Sequence, residues 1–102
     1  MNFLNTDKAM NVKHTKNGTK GSFDLYDNEH KIGEMTYVWA GKDKFIIDHT
    51  EINPNYTGEG LGKILLDEAV KFARESSVKI LPLCPYAKKQ LNKSDEYSDV
   101  VF

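Results

Sequence analysis

Hydrophobic and polar positions along this chain change period twice, and each change marks a new element. Across residues 22–26, Phe23 and Leu25 alternate with polar neighbours until Asp27-Asn28-Glu29 interrupts. Alternation resumes over residues 32–39, with Met35, Tyr37 and Trp39 on one face and Thr36 and Val38 on the other. Gly41-Lys42-Asp43 turns the chain again, and a β-rich run over residues 44–52 follows. A period of two broken by short polar turns predicts a meander of three antiparallel strands. The period then lengthens. Leu61, Leu65, Ala69, Phe72 and Ala73 recur at helical spacing, while Lys63, Asp67, Glu68, Lys71 and Arg74 fall largely on other faces. This helix should stop near Ser76-Ser77. Residues 78–81 form a short β-branched run, and a strand that follows a strand and a helix is a β-α-β unit. The run should therefore lie parallel to residues 45–52.

Beyond it, Pro85 suits the first position of a helix over residues 85–91, which makes Cys84 the cap. Ser94 is a further cap candidate, and Tyr97, Val100 and Val101 suggest a last short helix or docking segment. The fold class is therefore α/β (α+β): an antiparallel meander plus a β-α-β unit in one mixed sheet, with short C-terminal helices. Residues 1–20 are polar and weakly patterned. They read as a loosely ordered N-terminal segment before a domain of residues 21–102, with room for a short strand around Val12 and His14. His14 has no second ligand nearby and is expected to be exposed. Trp39 is expected to be a core or edge aromatic rather than a ligand-stacking ring.

Length and charge narrow the function classes. The chain has 102 residues, enough for one modest core. Its net charge of −1 has no basic cluster, so nucleic acid is not an expected partner. No apolar run approaches bilayer length and no signal-peptide pattern opens the chain, so no membrane role and a cytoplasmic location are expected. The single cysteine excludes an internal disulfide and a multi-cysteine zinc site, and no metal is expected. A monomer or weak homodimer is the expected state.

The stretch from Asn55 to Lys63 carries the clearest chemistry. A strand, a glycine-rich turn and a helix make an anion site from backbone alone. Glycines allow close approach, the first helical N–H groups lack internal partners, and the helix dipole favours negative charge. Two common phosphate motifs fail on spacing. A P-loop ending at Gly62-Lys63 would need glycine at position 57 and Ser or Thr at 64, where Thr57 and Ile64 stand. A dinucleotide fingerprint needs G-x-G-x-x-G, whereas this turn runs Gly58-x-Gly60-x-Gly62. On its own the turn is equally a tight strand-to-helix connection. Near the end of the second parallel strand, Cys84 at a helix start, with Lys88 and Lys89 one turn on, is placed for use as a nucleophile.

This turn resembles the acyl-CoA loop of the GNAT acetyltransferase superfamily, Gln/Arg-x-x-Gly-x-Gly/Ala. Gly60-Leu61-Gly62 fits its second half, Asn53-Pro54 looks like its lead-in, and Thr57 stands where the family has Arg or Gln. Residues 23–97 are similar to the small GNAT-like N-acetyltransferases through three elements in order. Asp48-His49-Thr50-Glu51-Ile52 resembles their HT-x-V strand end, Gly58-Glu59-Gly60-Leu61-Gly62 their CoA loop, and Pro82-Leu83-Cys84-Pro85-Tyr86 their P-x-C-x-Y segment. Asp95-Glu96-Tyr97 is similar to their closing element.

The resemblance implies a shortened GNAT fold with acetyl-CoA (coenzyme A) in the gap between the two parallel strands. Its pyrophosphate would sit on the amides of Gly58, Glu59, Gly60, Leu61, Gly62 and Lys63, beside Thr57. Its pantetheine would follow Glu51, Ile52 and Asn53, and Cys84, Pro85 and Tyr86 would close the other side. Full-length relatives have N-terminal helices over the acceptor site. This chain lacks room for them, so an open cleft suited to a protein side chain or terminus is expected.

Strand alternation puts His49 and Glu51 on the face of Phe45 and Ile47, near the cofactor. His49 has a suitable unperturbed pKa for a general base, or is a histidine satisfied within the sheet. Cys84 could carry the acetyl group, or be a small buried apolar residue. Tyr86 could protonate the departing thiolate, or merely pack. The leading expectation is an acetyl-CoA-dependent N-acetyltransferase acting on an amine or protein acceptor, directly or through Cys84. A non-catalytic CoA-binding module is the alternative. An interaction domain whose glycines form only a turn comes third.

Overall fold

A computed structural model describes residues 10–56 and 58–102. Five strands form one mixed sheet in the order β1-β2-β3-β4-β5. β1 (Met10–Asn17), β2 (Lys20–Asp27), β3 (His30–Trp39) and β4 (Lys44–Ile52) form an antiparallel meander. α1 (Leu61–Ser76) then crosses over to β5 (Lys79–Pro82), which lies parallel to β4. α2 (Pro85–Leu91) and a 3₁₀ turn (Asp95–Tyr97) follow. The expected mixed sheet is present, with one more strand than the alternation predicted.

That extra strand is β1. Residues 10–17, where the pattern left room for a short strand around Val12 and His14, pair along their whole length with β2, and residues 1–9 of that segment lie outside the described residues. Their alternation is weak because this edge strand buries only one side, and only partly. His14 is not exposed as expected. It is half-buried, stacks on Phe23 with ring centroids 4.2 Å apart, meets the edge of Phe72, and shares a 2.7 Å hydrogen bond with the Tyr37 hydroxyl. Its imidazole is held below its ordinary pKa first by burial and then by the Lys16 charge, with Asp24 opposing. Trp39 joins the same aromatic group, edge-on to Tyr37 and Phe45.

α1 lies against the sheet through Leu61, Leu65, Leu66, Ala69, Val70 and Ala73. Burying each leucine contributes on the order of 1.5–3 kcal/mol. The helix stops where the two serines predicted. Ser77 takes a left-handed conformation (φ 57°), and the N–H groups of Ser77 and Val78 return to the carbonyls of Arg74 and Ala73. The C-terminal segment is clamped by Arg74, which donates twice to Asp99 at 2.9 Å. Val101 then pairs with Ile80 on the outer side of β5. Among the described residues no helix is long and apolar enough to cross a membrane.

Two irregularities in β4 decide which side chains meet which face. Tyr37 pairs with Ile47, but its neighbour Thr36 pairs with His49, leaving Asp48 as an extra residue in β4. Such a bulge reverses the alternation beyond it. Asp48 and His49 consequently both point away from α1, with Asp48 accepting a 2.6 Å hydrogen bond from Thr36. Thr50 and Ile52 take over the face of Phe45 and Ile47. The expectation that His49 and Glu51 share that face is therefore corrected: both are exposed on the opposite side, 3.4 Å apart. Immediately after Ile47 the pairing with β5 also ends.

Candidate functional site

The end of that pairing opens a split in the sheet. The Ile47 carbonyl accepts from both Leu83 N–H (3.1 Å) and Cys84 N–H (3.0 Å), closing the last rung between β4 and the chain leaving β5. From there to Ile52, β4 is paired only on its β3 side. A cleft of about 260 Å³ lies on the helix side, between Thr50 and Ile52 of β4, the glycine turn and Tyr86. A second hollow of about 270 Å³ lies between Lys31, Glu34, Glu51 and Asn53.

The turn that floors the first cleft is built from β4 onward. Asn53 Oδ1 accepts from Asn55 N–H at 2.8 Å, and the Asn53 carbonyl accepts from Tyr56 N–H at 2.8 Å, starting the 3₁₀ turn Pro54–Tyr56. Thr57 lies outside the described residues. Gly58 and Gly60 then take positive φ values of 84° and 71°, and Gly60 is the residue from which α1 starts. A methyl group at either position would meet nothing within 4 Å. Their conformation requires glycine, and the space above them is open. Gly62 is the reverse case: a Cβ there would lie 2.6 Å from the Tyr86 hydroxyl oxygen. The absent side chain lets Tyr86 approach the helix start. No side chain caps that end; Lys63 N–H bonds to the Gly60 carbonyl at 3.2 Å, and the N–H groups of Leu61 and Gly62 precede that first bond of the helix. These are the features an anionic group needs, so the residues present fit a pyrophosphate.

The remaining predicted residues divide. Lys63 is not aimed into open solvent; its ammonium donates to Asp67 at 3.2 Å and to the Tyr97 hydroxyl at 3.0 Å. Leu61 is buried beneath the turn, and Glu59 is exposed. Cys84 occupies the predicted cap position of α2, is 5% exposed, and donates its thiol to Thr50 Oγ1 at 3.4 Å across the split. Pro85 is the first residue of α2, as its ring favours. Tyr86 is half-buried, and its phenol is raised above the ordinary tyrosine value by burial, against the pull of the nearby Lys63 charge. It therefore stays protonated at neutral pH and can donate a proton. His49 is not brought to this group. Its side chain is 56% exposed, and its ring partner is Glu51.

Sequence reasoning did not single out Thr50 or Tyr56. Thr50 reaches the cleft only because of the bulge, which the local residues do not announce. Tyr56, whose hydroxyl donates to Asp27 at 3.2 Å, borders the cleft from the 3₁₀ turn. Its aromatic ring just before a glycine pair was the available signal.

With this geometry in view, comparison with known proteins gives a consistent result. The family model described as GCN5-related N-acetyl-transferase matches residues 22–100. Protein NATD1 of Danio rerio is 28% identical over 89 residues, covering 87% of this chain and 80% of that protein. A GCN5-like protein of Staphylococcus aureus, solved by NMR, is 34% identical and superposes with a TM-score of 0.67 over 90% of this chain and 89% of its own. A GNAT family acetyltransferase of Elizabethkingia anophelis, solved with acetyl-CoA bound, shares the fold at 14% identity. Its TM-score is 0.62, over 74% of this chain and 52% of that one. The family match runs from β2 across the split strands and the glycine turn to the C-terminal segment, and the chain belongs to the GCN5-related N-acetyltransferase family.

Proposed function

We propose that this protein transfers an acetyl group from acetyl-CoA to an amine. The observation that carries the reading is the coincidence of three features at one place. The β4–β5 split, an uncapped helix start opened by Gly58 and Gly60, and the protonated phenol of Tyr86 all border one cleft. Backbone N–H groups of Gly60, Leu61 and Gly62, with neighbouring Thr57, Gly58, Glu59 and Lys63, receive the pyrophosphate. The pantetheine arm lies along Glu51, Ile52 and Asn53, where β4 has no strand partner on the β5 side. In the transfer, the amine nitrogen bonds to the acetyl carbon, the carbon–sulfur bond breaks, and the sulfur leaves as a thiolate that takes the Tyr86 proton.

Two routes differ in what attacks first. In direct transfer, the amine arrives neutral, having lost its proton to solvent, and attacks the thioester without a side-chain base in the cleft, since His49 and Glu51 lie on the opposite face. In a relay, Cys84 takes the acetyl group and passes it on. Its tie to Thr50, with His49 on the other face, leaves the thiol without a base in contact, which favours the direct route. The same separation favours a second reading, a CoA-binding module that turns nothing over.

The test is an acetyl-CoA titration followed by amide NMR, with intact mass and a panel of amine acceptors alongside. Saturable shifts at Gly58, Gly60, Gly62 and Cys84 are expected, with acetylated acceptor and unmodified Cys84. Saturation with no acceptor acetylated leaves the binding module. Amides that stay still at millimolar ligand end both readings.

A further inference from the structure

The first turn of α1 is arranged against its own dipole. The positive end of a helix favours acidic side chains, and an ion pair spaced four apart is better with the acid first. Here the first turn contains no acidic residue, Lys63 stands in it, and Asp67 follows one turn later. The pair is closed into a triangle by the C-terminal segment. Lys63 Nζ lies 3.2 Å from both carboxylate oxygens of Asp67 and 3.0 Å from Tyr97 Oη, and Tyr97 Oη donates to Asp67 Oδ1 at 3.1 Å. Tyr97 is buried and fixes the triangle, whereas Lys63 and Asp67 are about half exposed. Judged by the dipole alone, the cation stands at the less favourable end of the pair. The arrangement is understandable if the missing negative charge arrives from outside.

We infer that Asp67, fixed by Tyr97, is a positioning residue that holds the Lys63 ammonium in reserve beside the α1 start and competes for it with an anionic ligand. The inference rests on the acetyl-CoA reading and adds to it how tightly the phosphates are held. Lys63 directly follows Gly62, which lines the cleft. Lys63, Tyr97 and Asp67 all act electrostatically on Tyr86, whose hydroxyl lies against Gly62. When phosphate oxygens occupy the helix start, Lys63 exchanges part of its bond to Asp67 for them. Asp67 therefore lowers affinity for the charged cofactor.

The test is the affinity of coenzyme A for the intact protein, measured by calorimetry at low and high salt. The variants are Asp67→Asn, Lys63→Met and the double variant, each first checked by its amide NMR spectrum. Asp67→Asn should bind about threefold more tightly at low salt, with the gain shrinking as salt rises. Lys63→Met should bind less tightly, and in its background the Asp67→Asn gain should fall to less than half. Wild type that binds while Asp67→Asn binds no tighter overturns the inference and leaves the acetyl-CoA reading standing. A gain undiminished in the Lys63→Met background also overturns it, because Asp67 would then act on the ligand without Lys63. Wild type that does not bind coenzyme A removes the reading itself, and with it the anion for which Lys63 is held.

Discussion

The two ends of α1 are built for different purposes. Its C-terminal half presses Phe72 into a continuous group of rings, with His14, Phe23, Tyr37, Trp39 and Phe45 within 4.5–6.0 Å of it, centroid to centroid. Its N-terminal end rests on glycines, an uncapped turn and a split between strands. Close packing gives the first end stability. The second end forgoes a side-chain cap and a strand partner for β4, and gains room beside the helix start. Strength at one end allows incompleteness at the other, because both hang on one rigid helix.

Damage to the aromatic end should therefore cost stability and spare the ligand. Phe72→Ala should lower unfolding stability by about 3 kcal/mol, read by denaturant titration. Coenzyme A affinity of the remaining folded protein should stay within about twofold. A large affinity loss would mean that the ends are coupled through α1. Gly62→Val makes the opposite break. It drives a side chain into Tyr86 and should weaken coenzyme A binding at least about tenfold, with an overpacking cost of about 1–3 kcal/mol.

Gly60→Ala leaves the space open but opposes the left-handed backbone, so it should cost about 1–2 kcal/mol and weaken binding less than Gly62→Val. Tyr86→Phe removes only the hydroxyl. The transfer rate should fall roughly tenfold or more while affinity stays near wild type, if the phenol is the proton donor.

The smallest effect belongs to His14 and follows from the sign of its shift. Its folded pKa lies below the ordinary value, so folding favours the neutral ring. The associated stability is present above about pH 6.5 and is lost as pH falls through the lower folded value. The melting temperature should fall with acidification over that range, and His14→Gln should flatten that part of the profile.

How much of this was legible in the sequence depends on how far the deciding interaction reaches. The helix over residues 85–91 was readable because Pro85 fixes its own start. The span of α1 was readable from its apolar period and the serine pair at its end. Strands β2 and β3 announced themselves by alternation, and β4 by its β-rich run after a turn. The bulge at Asp48 did not. Phe45, Ile46 and Ile47 are all apolar, so the run carries no phase against which a slip could be noticed. His14 was misread for another reason. The rings that bury it come from β2, β3 and α1, none of them near it in sequence. The glycine turn was legible as an anion site, but its controlling triangle was not, since Tyr97 lies 34 residues beyond Lys63.

The extra residue at Asp48 also acts as a frame marker for the whole site. Every side chain from His49 to Ile52 owes its direction to one uncounted position. Deleting Asp48 would remove the bulge and restore regular pairing, with His49 directly after Ile47 and the following residues kept in their present frame. Pairing Asp48 regularly, with no residue bulged, is what would turn His49 and Glu51 toward the glycine turn and Thr50 and Ile52 outward. The division between a ligand-facing and a solvent-facing set is thus written by a single bulged residue, and it holds for as long as that residue stays out of the ladder.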